Sequence, residues 1–322
     1  MHRIGIVVGA VSLFVAVSAS ASPAAPALDP AGTGSRSVVE VQHASPTRPL
    51  IAVSHRGAAG HAPENTLAAL DAADELGAET VEIDIQRTAD NHIVLLHDTT
   101  LARTTNVESV FPDRSPYLVG DFTLREIKRL DAGSWFAPSF TGERIPTFDE
   151  ALDRLERLDL NLFLEVKEPA LYPGIERAVA EELAGRRTWL EHNPAWEPRK
   201  LIVQSFDWDS VRRSKSLLPS VPHALLGRVP EARIGEFTWA HMINPNHTTI
   251  DAAYVRRVQD AGLEIMPYTI NDRQRMDHVL GLGVDGFITD FPDTGQRAIA
   301  DFNGGRDAID RAATPAPALV RY

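Results

Sequence analysis

The chain of 322 residues contains no cysteine, so no disulfide can brace it and packing alone must hold it together. Its length is ample for that, as one large domain or two small ones. It lacks a basic run: 32 Lys and Arg stand against 44 Asp and Glu, for a formal net charge of −12 at pH 7. This argues against nucleic acid as a non-specific partner and leaves room only for a local cationic pocket. Beyond the N-terminus no stretch is long and apolar enough to span a membrane. No glycine-rich fingerprint follows the first strand-like run, which argues against an open doubly wound sheet.

The N-terminus itself reads as a targeting segment. Arg3 is followed by the uncharged run IGIVVGAVSLFVAVSA, 16 residues long. That is short of the roughly 20 residues a spanning helix needs. Ala19, Ser20 and Ala21 fit a small-x-small cleavage site, so residues 1–21 are expected to be a secretory signal cut after Ala21. A retained membrane anchor is the other reading. Cleavage implies a secreted or cell-envelope protein with no stable membrane insertion afterwards. Residues 22–48, rich in Ala, Pro, Ser and Gly, read as a flexible linker, and 303–322 as a similar C-terminal tail. The folded part is expected over 49–302.

Within it, short apolar runs alternate with helical patterns. Strands are predicted at 50–55, 80–85, 161–166, 201–206, 223–227, 241–244, 263–270 and 285–290. Helices are predicted at 64–77, 147–158, 173–185, 209–218, 251–262, 272–283 and 294–302. Thr147 with Glu150 and Thr123 with Glu126 match capping boxes, Pro63 suits a first turn, and Gly77, Gly262 and Gly283 stand where helices stop. Eight strands alternating with helices over some 250 residues is the pattern of an α/β fold of the (β/α)8 TIM-barrel type. Residues 98–146 break the rhythm after the second strand and read as a small insertion, a cap or lid.

Polar residues crowd the predicted strand ends, where a barrel enzyme carries its active site. His55 and Arg56 end the first strand, Glu82 and Asp84 the second, Glu165 and Lys167 the third, and His97 the hairpin-like extension after the second. Glu82 and Asp84 share one face, about 7 Å apart along the strand. A solvated edge would explain them; so would a cation between them. Three partly buried carboxylates repel one another unless compensated. A hard divalent cation, Ca²⁺ or Mg²⁺, would do that with oxygen ligands. Arg56 and Lys167 would then favour a phosphate, and two histidines could act as general acid and base on it. The bland alternative is a neutral ion-pair ring, with Arg56 on Glu82 and Lys167 on Glu165 or Glu168. His61 and His92 are expected at the surface.

The stretches HRGAAGHAPENTLAAL (55–70), VEIDIQRTADNHIVLLHD (81–98), LARTT (101–105), LDAGSWF (130–136), ERIPTFDEAL (143–152), LFLEVK (162–167), QSFD (204–207), YTIND (268–272) and DGFITDFP (285–292) together resemble the glycerophosphodiester phosphodiesterase family, in order, across nearly the whole folded region. The resemblance implies a TIM barrel and metal-dependent hydrolysis of a small-molecule glycerophosphodiester to sn-glycerol 3-phosphate and an alcohol. It makes His55 and His97 the acid–base pair, Glu82, Asp84 and Glu165 the metal ligands, and Arg56 and Lys167 phosphate contacts. It gives Glu64 and Asn65 a supporting place at the mouth, with helix capping as their other reading. It lets Phe206 and Tyr268 line the pocket, with plain core as theirs. Tyr268 stands where many members carry Trp. Ca²⁺ is the expected metal, with Mg²⁺ open. Two further readings remain: a related barrel phospholipase of the D type acting on lysophospholipid or sphingomyelin, and a non-catalytic phosphodiester-binding protein.

Overall fold

In a computed structural model that describes residues 48–313, the chain alternates strands and helices. The expected signal, most of the linker and the end of the tail lie outside the described residues. The order begins β1 (Ile51–Ser54), α1 (Leu67–Glu75), β2 (Thr80–Arg87) and β3 (Ile93–Leu95). The insertion follows with α2 (Val107–Val110) and α3 (Leu124–Ile127). Then come α4 (Phe148–Leu158), β4 (Asn161–Val166), α5 (Ile175–Ala184), β5 (Leu201–Ser205), α6 (Trp208–Leu217), β6 (His223–Leu226) and β7 (Met242–Asn244). The chain closes with α7 (Ala252–Asp260), β8 (Glu264–Ile265), α8 (Arg273–Leu282), β9 (Gly286–Thr289) and α9 (Pro292–Ala313).

Eight of these strands pair in parallel in the order β8-β7-β6-β5-β4-β2-β1-β9, while β3 folds back antiparallel on β2. The seam between the first and last of the eight is bridged by backbone hydrogen bonds from Asp285 to Ile265, Ile288 to Pro267 and Ile270 to Ile288. The result is a nearly closed barrel, as the alternation predicts. The eighth strand is shorter than the predicted 263–270 because Pro267 has no N–H to donate. Pairing resumes beyond it, where Tyr268 bridges Asn246.

Strand alternation then sorts the side chains. Val81, Ile83, Leu162, Leu164, Leu201 and Val203 pack outward against α1, α4 and α5. Their alternates turn inward. Ile51, Val53, Phe163, Ile202, Ala224, Met242, Met266 and Ile288, from six strands and the turn after β8, form an apolar plug on the barrel axis. Two residues further along the same inward rows stand His55, Glu165, Gln204, Leu226, Asn244, Tyr268 and Asp290. The plug is thus the floor of the polar mouth. Truncating Phe163, 1% exposed, to alanine would cost about 3–5 kcal/mol.

The insertion has a core of its own, in which Leu101, Val107, Phe122, Ile127, Leu130 and Ile145 pack with Val94 and Leu96. Both predicted capping boxes form, at Thr123–Glu126 and Thr147–Glu150. The LDAGSWF stretch is a folded loop. The Asp131 carboxylate accepts the backbone N–H groups of Gly133, Ser134 and Gly142 at 2.9, 2.8 and 2.7 Å. Burial opposes its ionisation, but these donors win and draw its pKa down to about 2. A Cβ on Gly133 would sit 2.0 Å from the Phe140 carbonyl oxygen, so only glycine fits there.

Two expectations need correction. Helix α1 starts at Leu67, not 64, because Thr66 supplies the cap, its hydroxyl accepting from the Ala69 N–H. Helix α9 runs past 302 to Ala313, through residues assigned to the tail. Phe302 packs on the core and the Arg306 guanidinium lies over its ring, 5.6 Å from the centroid, so Gly304 and Gly305 between them stay helical.

At the far end of the barrel from the mouth, His223 is fully buried at the start of β6. Its Nδ1 lies 2.8 Å from the Val221 carbonyl and its Nε2 2.9 Å from the Ser214 hydroxyl. A carbonyl only accepts, so Nδ1 carries the proton and Nε2 accepts from Ser214. Burial drives the His223 pKa down to about 4. Its folded-state pKa is depressed, so it contributes stability above an unfolded value of about 6.5 that is lost as pH falls towards 4. Replacing it removes that titration. The melting-temperature gap between wild type and His223→Gln is therefore expected to be largest above pH 7 and to shrink by pH 4.5. A gap of constant size across that range overturns the assignment.

Candidate active site

The turn after β1 sets the first pair of side chains. Arg56 and Gly57 both have left-handed backbone, φ 53° and 78°. A Cβ on Gly57 would lie 2.7 Å from the backbone of Ala69, so the chain can pass α1 only with glycine here. The sharp turn aims the Arg56 N–H at Glu82 Oε2, 3.0 Å away. Its guanidinium reaches Glu64 Oε1 at 2.9 Å and Asp84 Oδ2 at 3.2 Å. Asn65, also left-handed at φ 57°, grips Asp84 twice: its Nδ2 donates to Asp84 Oδ2 at 2.9 Å and its Oδ1 accepts the Asp84 N–H at 3.0 Å. Neither Glu64 nor Asn65 caps α1.

The paired acids are not on a solvated edge. Glu82, Asp84 and Glu165 are 1%, 0% and 7% exposed. Asp84 and Glu165 are neighbours in the β2–β4 register, and each acid of the three offers an oxygen within 4.8 Å of the others. Burial, then the charges of Asp84 and Glu165, push the Glu82 pKa well above the usual range. Burial and Asp84 raise Glu165 to about 7. Burial works against Asp84 too, but Lys167 and Arg56 outweigh it and hold its pKa low. Lys167 Nζ lies 2.6 Å from Glu165 Oε1 and 3.6 Å from Asp84 Oδ1. The ion pairs foreseen as the bland alternative thus exist in part, on Glu165 rather than Glu168, yet they leave two acceptors over. Glu82 Oε1 and Asp84 Oδ1 are enclosed and have no hydrogen-bond partner. Such an atom costs about 1–3 kcal/mol when left unmade. Three convergent carboxylates with orphaned oxygens are a donor set that could hold a hard divalent metal.

Both predicted histidines stand at this mouth, and each is anchored by a carboxylate the sequence reading missed. His55 Nδ1 is 2.6 Å from Asp290 Oδ1, just beyond β9. Asn271 holds the other oxygen of Asp290 at 2.5 Å. His97 Nδ1 is 2.7 Å from Asp98 Oδ1. In both rings the carboxylate fixes the proton on Nδ1 and leaves Nε2 for chemistry. Burial lowers the His97 pKa first; Asp84 pulls it back, and Arg56 and Lys167 push it further down. Asp98 is in turn bound by Arg103 of the insertion, Nε to Oδ2 at 2.6 Å and Nη2 to Oδ1 at 3.0 Å. The same guanidinium reaches both oxygens of Glu64, at 2.8 and 2.7 Å. A continuous ionic chain therefore runs from His97 through Asp98, Arg103 and Glu64 to Arg56. Its members sit in the quoted HD, LARTT and PENT stretches; the signal was visible but long-range pairing was not. His61 and His92 are surface residues, as expected.

These groups line a cavity of about 150 Å³, shared with Gln204, Leu226, Thr269 and Ile288. Phe206 and Tyr268 form its rim, ring centroids 5.7 Å apart and edge to face. Phe206 is 53% exposed, which excludes the plain-core reading for it. A larger cavity, about 370 Å³, opens beneath the plug at the other end of the barrel, among Ile51, Phe163, Met242 and Met266. Arg199, Glu264 and Asp285 also border it, but neither mouth histidine nor any of the three clustered acids does, so the chemistry belongs to the smaller one.

Residues 55–294 match the glycerophosphoryl diester phosphodiesterase family model. A glycerophosphodiester phosphodiesterase of Caldanaerobacter subterraneus subsp. tengcongensis is 37% identical over 248 residues, covering 76% of this chain and 95% of the relative. One of Bacillus subtilis is 33% identical over 264 residues, covering 77% and 86%. Among solved structures, an Oleispira antarctica phosphodiesterase in complex with the product sn-glycerol-3-phosphate aligns at TM-score 0.66 and 29% identity, over 78% of this chain and 96% of that one. Fold, mouth and kinship agree: the chain belongs to the glycerophosphoryl diester phosphodiesterase family and is an enzyme of that activity.

Proposed function

We propose that the protein is an exported, metal-dependent hydrolase that splits glycerophosphodiesters into sn-glycerol 3-phosphate and an alcohol. The orphaned oxygens of Glu82 and Asp84 beside Glu165 carry this reading, because they ask for a cation at the point where two anchored imidazoles converge. Glu82, Asp84 and Glu165 would hold the metal, and Ca²⁺, tolerant of a loose oxygen cage, suits it best, with Mg²⁺ as the other choice. A bound divalent cation supplies positive charge against the phosphoryl oxygens. Arg56 and Lys167 add their own charge and orient the diester. The leader-like residues 1–21 support export.

The two histidines divide the proton work. His97 is kept neutral by burial and by its cationic neighbours, so its Nε2 takes the proton of the attacking water. His55, its Nδ1 held by Asp290, is the acid and hands a proton from its Nε2 to the alcohol oxygen as the phosphorus–oxygen bond breaks. Water thus adds to phosphorus, the alcohol leaves neutral, and the protons balance. Arg103 acts at one remove: it sets Asp98 behind His97 and Glu64 behind Arg56, so the insertion aligns proton transfer with phosphate binding.

Release of glycerol 3-phosphate from glycerophosphocholine is expected to stop with chelator and to return with Ca²⁺ or Mg²⁺, with Glu82→Gln demanding more metal. Undiminished turnover in chelator would sink the metal role. His55→Ala and His97→Ala should each cost about 10²–10⁴-fold in kcat while remaining folded. Near-normal turnover in either removes it from the mechanism. Because the His97 pKa is lowered, the acidic limb of the pH–rate profile should lie below the ordinary imidazole value of about 6.5; a limb above that value contradicts His97 as base. Arg103→Gln should lower kcat about ten-fold with little change in melting temperature, and Arg103→Lys should recover only part, since one ammonium cannot span both carboxylates. Full activity in Arg103→Gln would show that the ionic chain is decorative.

A further inference from the structure

We propose that Gln204, held by Asn244, recognises the hydroxyls of the glycerol moiety; this rests on the reading of the substrate as a glycerophosphodiester. The charged side chains and histidines that line the cavity are accounted for by metal, phosphate or proton roles. Gln204 and Asn244 are not, although they are 1% and 0% exposed. Buried carboxamides persist when they finish with partners. Asn244 Nδ2 donates to Gln204 Oε1 at 2.8 Å, from β7 past the intervening β6 to β5. That leaves Gln204 half engaged. Its other half has no hydrogen-bond partner among the described residues, and the residue lines the active-site cavity. Asn244 Oδ1 is enclosed and unpartnered as well.

The group that completes this pair must suit a carboxamide deep in the site. Gln204 is uncharged, while Arg56 and Lys167 in the same cavity offer charged donors, so a phosphate placed on the carboxamide would forgo the stronger contacts. A hydroxyl needs no charged partner. It accepts from an amide N–H and can donate to an amide oxygen, so it fits whichever way the carboxamide is turned. Depth then decides which end of the diester supplies it. Phe206, two residues further along the same face, is at the exposed rim, and the plug closes the barrel below Gln204. Only one end of a diester can enter that far. The glycerol end, common to the substrate class, goes in with its phosphate on Arg56 and Lys167, and the alcohol points out past Phe206 and Tyr268.

The test compares sn-glycerol 3-phosphate with propyl phosphate, which lacks both hydroxyls, by calorimetric titration of the metal-loaded enzyme. Wild type should bind the glycerol ester about five- to ten-fold more tightly. Gln204→Met, close in shape and apolar, should lose that preference while its affinity for propyl phosphate stays within about two-fold. Asn244→Leu, which frees the anchor, should lose part of it and serves the same comparison if Gln204→Met does not fold. Retained preference in the folded variants, or an equal loss for both ligands, overturns the assignment. Turnover of glycerophosphocholine by wild type separates the two ideas: its absence would end the substrate reading and this proposal together, whereas turnover with unchanged discrimination would end this proposal alone.

Discussion

Everything at the mouth of this barrel answers to one constraint, the mutual repulsion of Glu82, Asp84 and Glu165. Three carboxylates enclosed in one place cannot all stay charged without help. Asp84 stays charged because Lys167, Arg56 and Asn65 surround it. Glu82 and Glu165 remain poised, their pKa values raised by burial and by the charge of Asp84. Such a cluster is a poor way to stabilise a barrel, since apolar residues would fill the space at lower cost. It is a good way to store demand for positive charge. A cation would relieve it, at a mouth where Arg56 and Lys167 also stand.

The two imidazoles line the same cavity with matching supports. Each has a carboxylate on Nδ1, one contributed by the strand end at Asp290 and one by the neighbouring residue Asp98. The supports differ in where they lead. Asp290 is tied into the barrel by Asn271, while Asp98 is tied into the insertion by Arg103. One histidine therefore takes its orientation from the barrel itself and the other from the segment that interrupts it.

The barrel was legible in the sequence because alternation is a local property. The inward rows can be counted off by twos, and each passes from an apolar residue to a functional one, as at Phe163, Glu165 and Lys167. The seven mouth residues could be picked out for the same reason. Asp290, Asp98 and Arg103 were not singled out, because a carboxylate behind a histidine is defined by a distance and not by a spacing. Asp290 is 235 positions from His55. Glu64 and Asn65 were read as possible helix caps, and Thr66 took that place because its hydroxyl reaches the Ala69 N–H. The last helix outran its predicted end since two glycines are a weak stop when Phe302 and Arg306 stack on either side of them.

The apolar plug has a consequence for traffic. Ile51, Val53, Phe163, Ile202 and Met242 seal the axis beneath the site, so the cavity has a single doorway. With the glycerol end lodged inward, the alcohol stands between the retained phosphate and solvent. That orientation would order departure by geometry: the alcohol would leave first and the phosphorylated fragment last, competing with each incoming diester for the same threshold.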